Sequence, residues 1–119
     1  MLYLSVQQHI NLILEKPIMP VVNFYITWPD QIESKCYSPS TVITAHLSEG
    51  ASYPLDEFMQ RARDGLHQAS ERVRAKYGYA CSAAADQLEM IERDAKRYEN
   101  TENAVVKVVK FSSTDINIY

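Results

Sequence analysis

Only three glycines occur in this chain, each isolated from the others, so no glycine-rich loop is available to wrap a phosphate. Cysteine is as scarce. Cys36 and Cys81 form neither a CxxC nor a zinc-type spacing, and two are too few to staple a secreted scaffold. Reduced thiols in the cytoplasm are the expectation. A basic excess is missing too. The net charge of -3 supplies no positive field for phosphates, which argues against nucleic-acid binding. Gln7, Gln8, His9 and Asn11 interrupt the apolar residues near the N-terminus, so no run there spans a bilayer and no membrane partner is expected. That stretch also lacks the basic start and small-residue cleavage site of a secretion signal. Residues 1–18 are read as an N-terminal extension, either lying upstream of a natural start at Met19 or forming a short amphipathic helix or strand that docks on the domain.

What is present suffices for one domain. Of 119 residues, 46% are hydrophobic and 23% charged, an ordinary soluble balance that leaves no case for wholesale disorder. From Val21 the pattern alternates: Val22, Phe24, Ile26 and Trp28 share one face, and Asn23, Tyr25 and Thr27 the other. Trp28-Pro29-Asp30-Gln31 reads as a turn. A second strand follows, with Ile32, Ser34 and Cys36 on the face expected to be buried. Ser38 and Pro39 suggest the cap and first turn of a short helix over 39–48, although β-branched Thr41, Val42, Ile43 and Thr44 weaken it.

A long helix is better signalled. Pro54 opens it, Asp56 and Glu57 suit its dipole, and Gly78 ends it. Leu55, Phe58, Met59, Ala62, Leu66, Ala69, Val73 and Tyr77 trace one apolar stripe. Gly65 lies inside that helix, where a close crossing would explain it. A further helix from Ser82 carries Ala84, Leu88, Ile91, Ala95 and Tyr98 inward, with Glu89–Arg93 and Glu92–Lys96 as candidate i,i+4 pairs. Residues 104–111 read as a third strand, placed beside the first, and 112–119 as a tail without pattern. The expected fold is therefore α+β in two layers, β-β-α-α-α-β, a three-stranded sheet covered on one face by helices. A single domain over 19–111 follows.

Candidate chemistry is sparse. Cys81, at the mouth of a helix, is either a nucleophile favoured by the helix dipole or a small apolar residue closing a corner. Cys36 reads as core. His46 and His67 lack any metal-ligand spacing, so no metal and no cofactor are expected. Arg63, His67, Ser70 and Arg74 recur at +4, +3 and +4 along one helix edge, either a solvated flank or an anion-holding row. Tyr25, Thr27, Lys35 and Tyr37 would populate the sheet face away from the helices, a plausible surface for a protein partner or a second copy.

The segments "WPD", "CYSPS", "YP" at Tyr53-Pro54 and above all "SERVRAKYGYACS" at 70–82, followed by "DQLEMIE", resemble small bacterial nitrogen-starvation-response proteins over about residues 22–111. In that family a glycine usually follows the Trp-Pro-Asp turn, where Gln31 stands here. The resemblance implies genes encoded beside a nitrilase, a radical-SAM protein, an acetyltransferase and a flavin-dependent oxidoreductase, and it transfers no catalytic residues. The leading expectation is a cytoplasmic accessory protein that binds a partner. Its rival is a thiol enzyme or anion sensor using Cys81 and His67, with Arg63 and Arg74 orienting the anion.

Overall fold

A computed structural model describes the backbone of residues 18–78 and 82–117 and the side chains of 21–78 and 82–112. Strand β1, Ile18–Thr27, pairs antiparallel with β2, Glu33–Ser38, through a tight loop. In that loop Gln31 N–H donates to Trp28 O, Trp28 N–H to Ile32 O, and Ile32 N–H to Asp30 Oδ1. Gln31 takes φ 74°, the left-handed conformation that lets three residues reverse the chain while keeping strand twist. Ile32 departs from its expected buried place. It lies in the loop rather than in β2 and is 51% exposed.

The helix expected over 39–48 is a 3-10 helix, Thr41–Ala45, and its cap is Ser40 rather than Ser38. Ser40 Oγ accepts from Val42 N–H, whereas the fully buried Ser38 hydroxyl is engaged with the backbone of Ser40. Four consecutive β-branched residues and a Thr44 hydroxyl donating to Thr41 O explain why the segment winds tightly and stops early.

Ser52–Pro54 forms β3, a strand the sequence did not announce, and α1 runs Leu55–Tyr77 directly from its end. Gly78 closes α1 at φ 84°, its N–H donating to Arg74 O. Helix α2 spans Ser82–Ala95 and passes into a second 3-10 helix, Lys96–Tyr98. Strand β4, Val105–Asn117, completes an antiparallel sheet ordered β2-β1-β4-β3. The α+β class holds, with four strands instead of three. β4 does lie beside β1, but it continues past 111. Its backbone pairs with β1 as far as Asn117 opposite Ile18, a ladder that needs no side-chain pattern.

Both helices pack on one sheet face. Val22, Phe24, Ile26, Trp28, Cys36, Tyr53, Val106 and Val108 supply the sheet's side of the core, and the expected stripes of α1 and α2, with Ile43 of the first 3-10 helix and Leu47 just beyond it, supply the rest. One irregularity keeps β4 in phase. The register shifts between Tyr25, opposite Lys110, and Ile26, opposite Val108, so Val109 is the extra residue of a bulge. Without it Val106, Val108 and Phe111 could not all serve the inner face. The expected i,i+4 pairs of α2 do not form. Glu92 instead meets Arg63 on α1 at 3.0 Å, because the two helices bring these side chains together across their seam.

Gly65 has its close crossing, with the first 3-10 helix as the neighbour. A Cβ there would stand 2.5 Å from Ile43 Cδ1 and 3.3 Å from His46 Cβ. Ile43 is fully buried, so its side chain has little room to swing away. Gly65→Ala is therefore expected to lower stability by about 1 kcal/mol, overpacking outweighing the helix-propensity gain. Adding Ile43→Val should recover part of that loss in urea titrations. Gln31→Gly, relieving a left-handed non-glycine, should raise stability by roughly 0.5–1 kcal/mol in the same assay.

Candidate functional site

Every second residue of β1 that avoids the core emerges on the opposite sheet face, which none of the described elements covers. Cross-strand registry arranges that face in rows. Lys35, Tyr25 and Lys110 lie side by side on β2, β1 and β4; Glu33, Thr27 and Lys107 form the next row; Tyr37, Asn23 and Ser112 the next. Tyr25, Thr27 and Tyr37 are half-buried by their neighbours, and the three lysines are exposed. Lys110 Nζ sits 4.9 Å from the centre of the Tyr25 ring, a cation–π contact. Among the described residues, none of these lysines has an ion-pair partner. Among the described residues the face carries three cations against Glu33 alone, inverting the overall sign of the chain. Beside it lies an open depression of about 520 Å³, walled by Thr27, Gln31, Glu33, Lys107 and Val109 among others.

The structure thus brings Tyr25, Thr27, Lys35 and Tyr37 together, as alternation along two strands predicts. Lys107 and Lys110 were missed. Their spacing of three in "VVKVVKF" breaks strand alternation, and the break itself signals the bulge that puts both outside. The β2 edge is also partly closed: Tyr37 N–H donates to Gln87 Oε1 of α2 at 3.0 Å.

The basic row of α1 is not gathered into one pocket. Arg63 holds Glu92, Arg74 lies 3.7 Å from Glu71, and both pairs are well exposed. His67 and Ser70 line a separate groove of about 150 Å³ between the helices, alongside Glu89 and Glu92. His46 Nε2 is 2.7 Å from Gln68 Oε1. Among the described residues no cluster of three or more His, Cys, Asp or Glu side chains could hold a metal ion. No described helix is long and apolar enough to cross a membrane. Cys81, and with it the proposed thiol chemistry, lies outside the described residues.

Cys36 sits in the core at 3% exposure. Burial, with the Asp94 carboxylate adding to it, pushes its thiol up to about 12. Burial likewise raises the Tyr98 phenol, helped by the nearby Asp30 carboxylate. Cys36 is therefore a neutral packing group at physiological pH and a poor nucleophile. Its raised pKa has a definite linkage sign. Below pH 9 the thiol is protonated in both states and contributes no pH dependence. From 9.0 toward 12 the unfolded chain releases the proton while the folded one retains it, so stability falls as pH rises. Urea titrations at pH 8 and pH 10 should show this decline, and Cys36→Ala should make it shallower.

Comparison with known proteins returns one family. The model of the nitrogen starvation-induced protein NitG matches residues 23–111, about three quarters of the chain. No curated protein and no solved structure shows significant similarity to it. The match runs from the middle of β1, through both helices, to the point on β4 where the core residue Phe111 stands, and so covers the fold and the exposed face together. The chain belongs to the family of nitrogen starvation-induced proteins NitG.

Proposed function

We propose that this protein is a small cytoplasmic accessory factor of the nitrogen-starvation response that binds an enzyme of a nitrilase-type gene cluster. Membership of the family supports the physiological setting. The observation that carries the binding role is the uncovered row Lys35–Tyr25–Lys110 across the middle of the sheet. A half-buried tyrosine flanked by cations presents rigid contact area at small entropic cost, and it adds charge that selects a partner. Thr27 and Tyr37 extend the same surface, and the partner it suits is a protein with carboxylates facing the sheet.

Among the described residues nothing in the core competes with this reading. Cys36 is held neutral, and Arg61, Arg63 and Arg74 of α1 are engaged in ion pairs at the helix surface.

The test is recovery of the tagged protein from nitrogen-starved cells, comparing the native chain with a Tyr25→Ala/Lys35→Ala variant. A cluster enzyme should accompany the native chain in stoichiometric amount. The variant, with an unchanged melting temperature, should bind that enzyme about tenfold or more weakly. Equal recovery by both chains would remove the sheet face from the mechanism.

A further inference from the structure

A second basic surface lies away from the sheet face, where the last two turns of α1 pass the N-terminal end of the first 3-10 helix. A depression of about 380 Å³ opens there, walled by Pro39, Ser40 and Thr41 on one side and by Arg72, Val73, Ala75, Lys76 and Tyr77 on the other. The volume is in the range of small-molecule sites. Its lining is divided in kind. Pro39 and Val73 are buried apolar groups, joined by Ala75 and the Tyr77 ring, while Arg72 and Lys76 project from the exposed flank.

Charge sets this cavity apart. No carboxylate lines it, whereas three other depressions on the described surface each carry at least one. Arg72 and Lys76 make no ion pair among the described residues, unlike Arg61, Arg63, Arg74 and Arg97. Lys76 Nζ instead lies 5.6 Å from the centre of the Tyr77 ring. Two hydroxyl-bearing residues, Ser40 and Thr41, line it as well. Ser40 Oγ accepts from Val42 N–H, which leaves its own hydrogen to donate. The walls come from residues 39–41, at the end of "CYSPS" and just beyond it, and from 72–77 within "SERVRAKYGYACS", positions thirty or so residues apart that the sheet-face reading leaves unused.

We propose that this cavity binds a small organic anion, its phosphate or carboxylate group held by Arg72 and Lys76 with Ser40 and Thr41 donating. The apolar wall of Pro39, Val73, Ala75 and Tyr77 takes the body of the ligand. Arg72 provides a planar fork matched to either oxyanion, and Lys76 a mobile point charge beside it. The site is independent of the sheet face, and its occupancy needs no protein partner.

The experiment is an amide NMR titration of the full chain with two probes, inorganic phosphate and succinate. Saturable shifts confined to residues 40–42 and 72–77 are expected with at least one of them, and the preferred probe tells phosphate from carboxylate chemistry. Arg72→Gln/Lys76→Gln should weaken that binding tenfold or more. Arg74→Gln, removing a neighbouring cation that does not line the cavity, should leave it unchanged. Shifts spread over basic residues generally, shifts that survive the double substitution, or no shifts with either probe would each overturn the assignment.

Discussion

The indole of Trp28 is the contact on which the arrangement of layers depends. It follows the last residue of β1 and continues its inner row, 1% exposed, at the corner where sheet and helices meet. Tyr98 stacks on it with ring centres 5.4 Å apart and planes at 14°, and Phe58 of α1 meets it edge-on at 6.0 Å. Its Nε1–H donates to Ser34 Oγ at 2.9 Å, so the one polar atom of the ring is satisfied from β2. A single side chain thereby fixes β1, β2, α1 and the segment following α2 in one geometry. The hairpin loop begins at this residue, which is why a left-handed Gln31 is tolerated there: the anchored tryptophan and the strand pairing over-determine the turn.

From that corner the sheet acquires two different faces. The inner one is apolar and dense enough to hold Cys36 as a neutral thiol. The outer one is amphipathic, with lysines arrayed around Tyr25 because the β4 bulge turns both Lys107 and Lys110 outward. The same close packing shapes the far end of the molecule. Gly65 lets the first 3-10 helix press against α1, which sets Ser40 and Thr41 opposite Arg72 and Lys76. Two basic surfaces on an acidic chain are thus products of backbone irregularities, a bulge in one case and a missing Cβ in the other.

Much of this was legible in local pattern. The stripe from Phe58 to Val73 and that from Ala84 to Tyr98 are buried as their spacing requires, and Gly78 ends α1 in the expected conformation. Alternation along β1 correctly separated Tyr25 and Thr27 from the core. The strand β3 was not legible. Ser52, Tyr53 and Pro54 are too few to show a period, and they are held by pairing with β4 and by Tyr53 Oη accepting from Ser48 N–H. Nor was the partner of Glu92, since i,i+4 spacing names a candidate on the same helix and says nothing of a guanidinium across the seam.

The sequence by itself determined the class of the fold, the helical stripes and which face of β1 would be left outside, because each of these is written in periods of two or 3.6 residues. Only the tertiary structure decided the fourth strand, the row Lys35–Tyr25–Lys110 and the meeting of Pro39–Thr41 with Arg72–Tyr77. These join residues far apart along the chain, and such contacts are set by strand registry and helix packing, which no local period encodes.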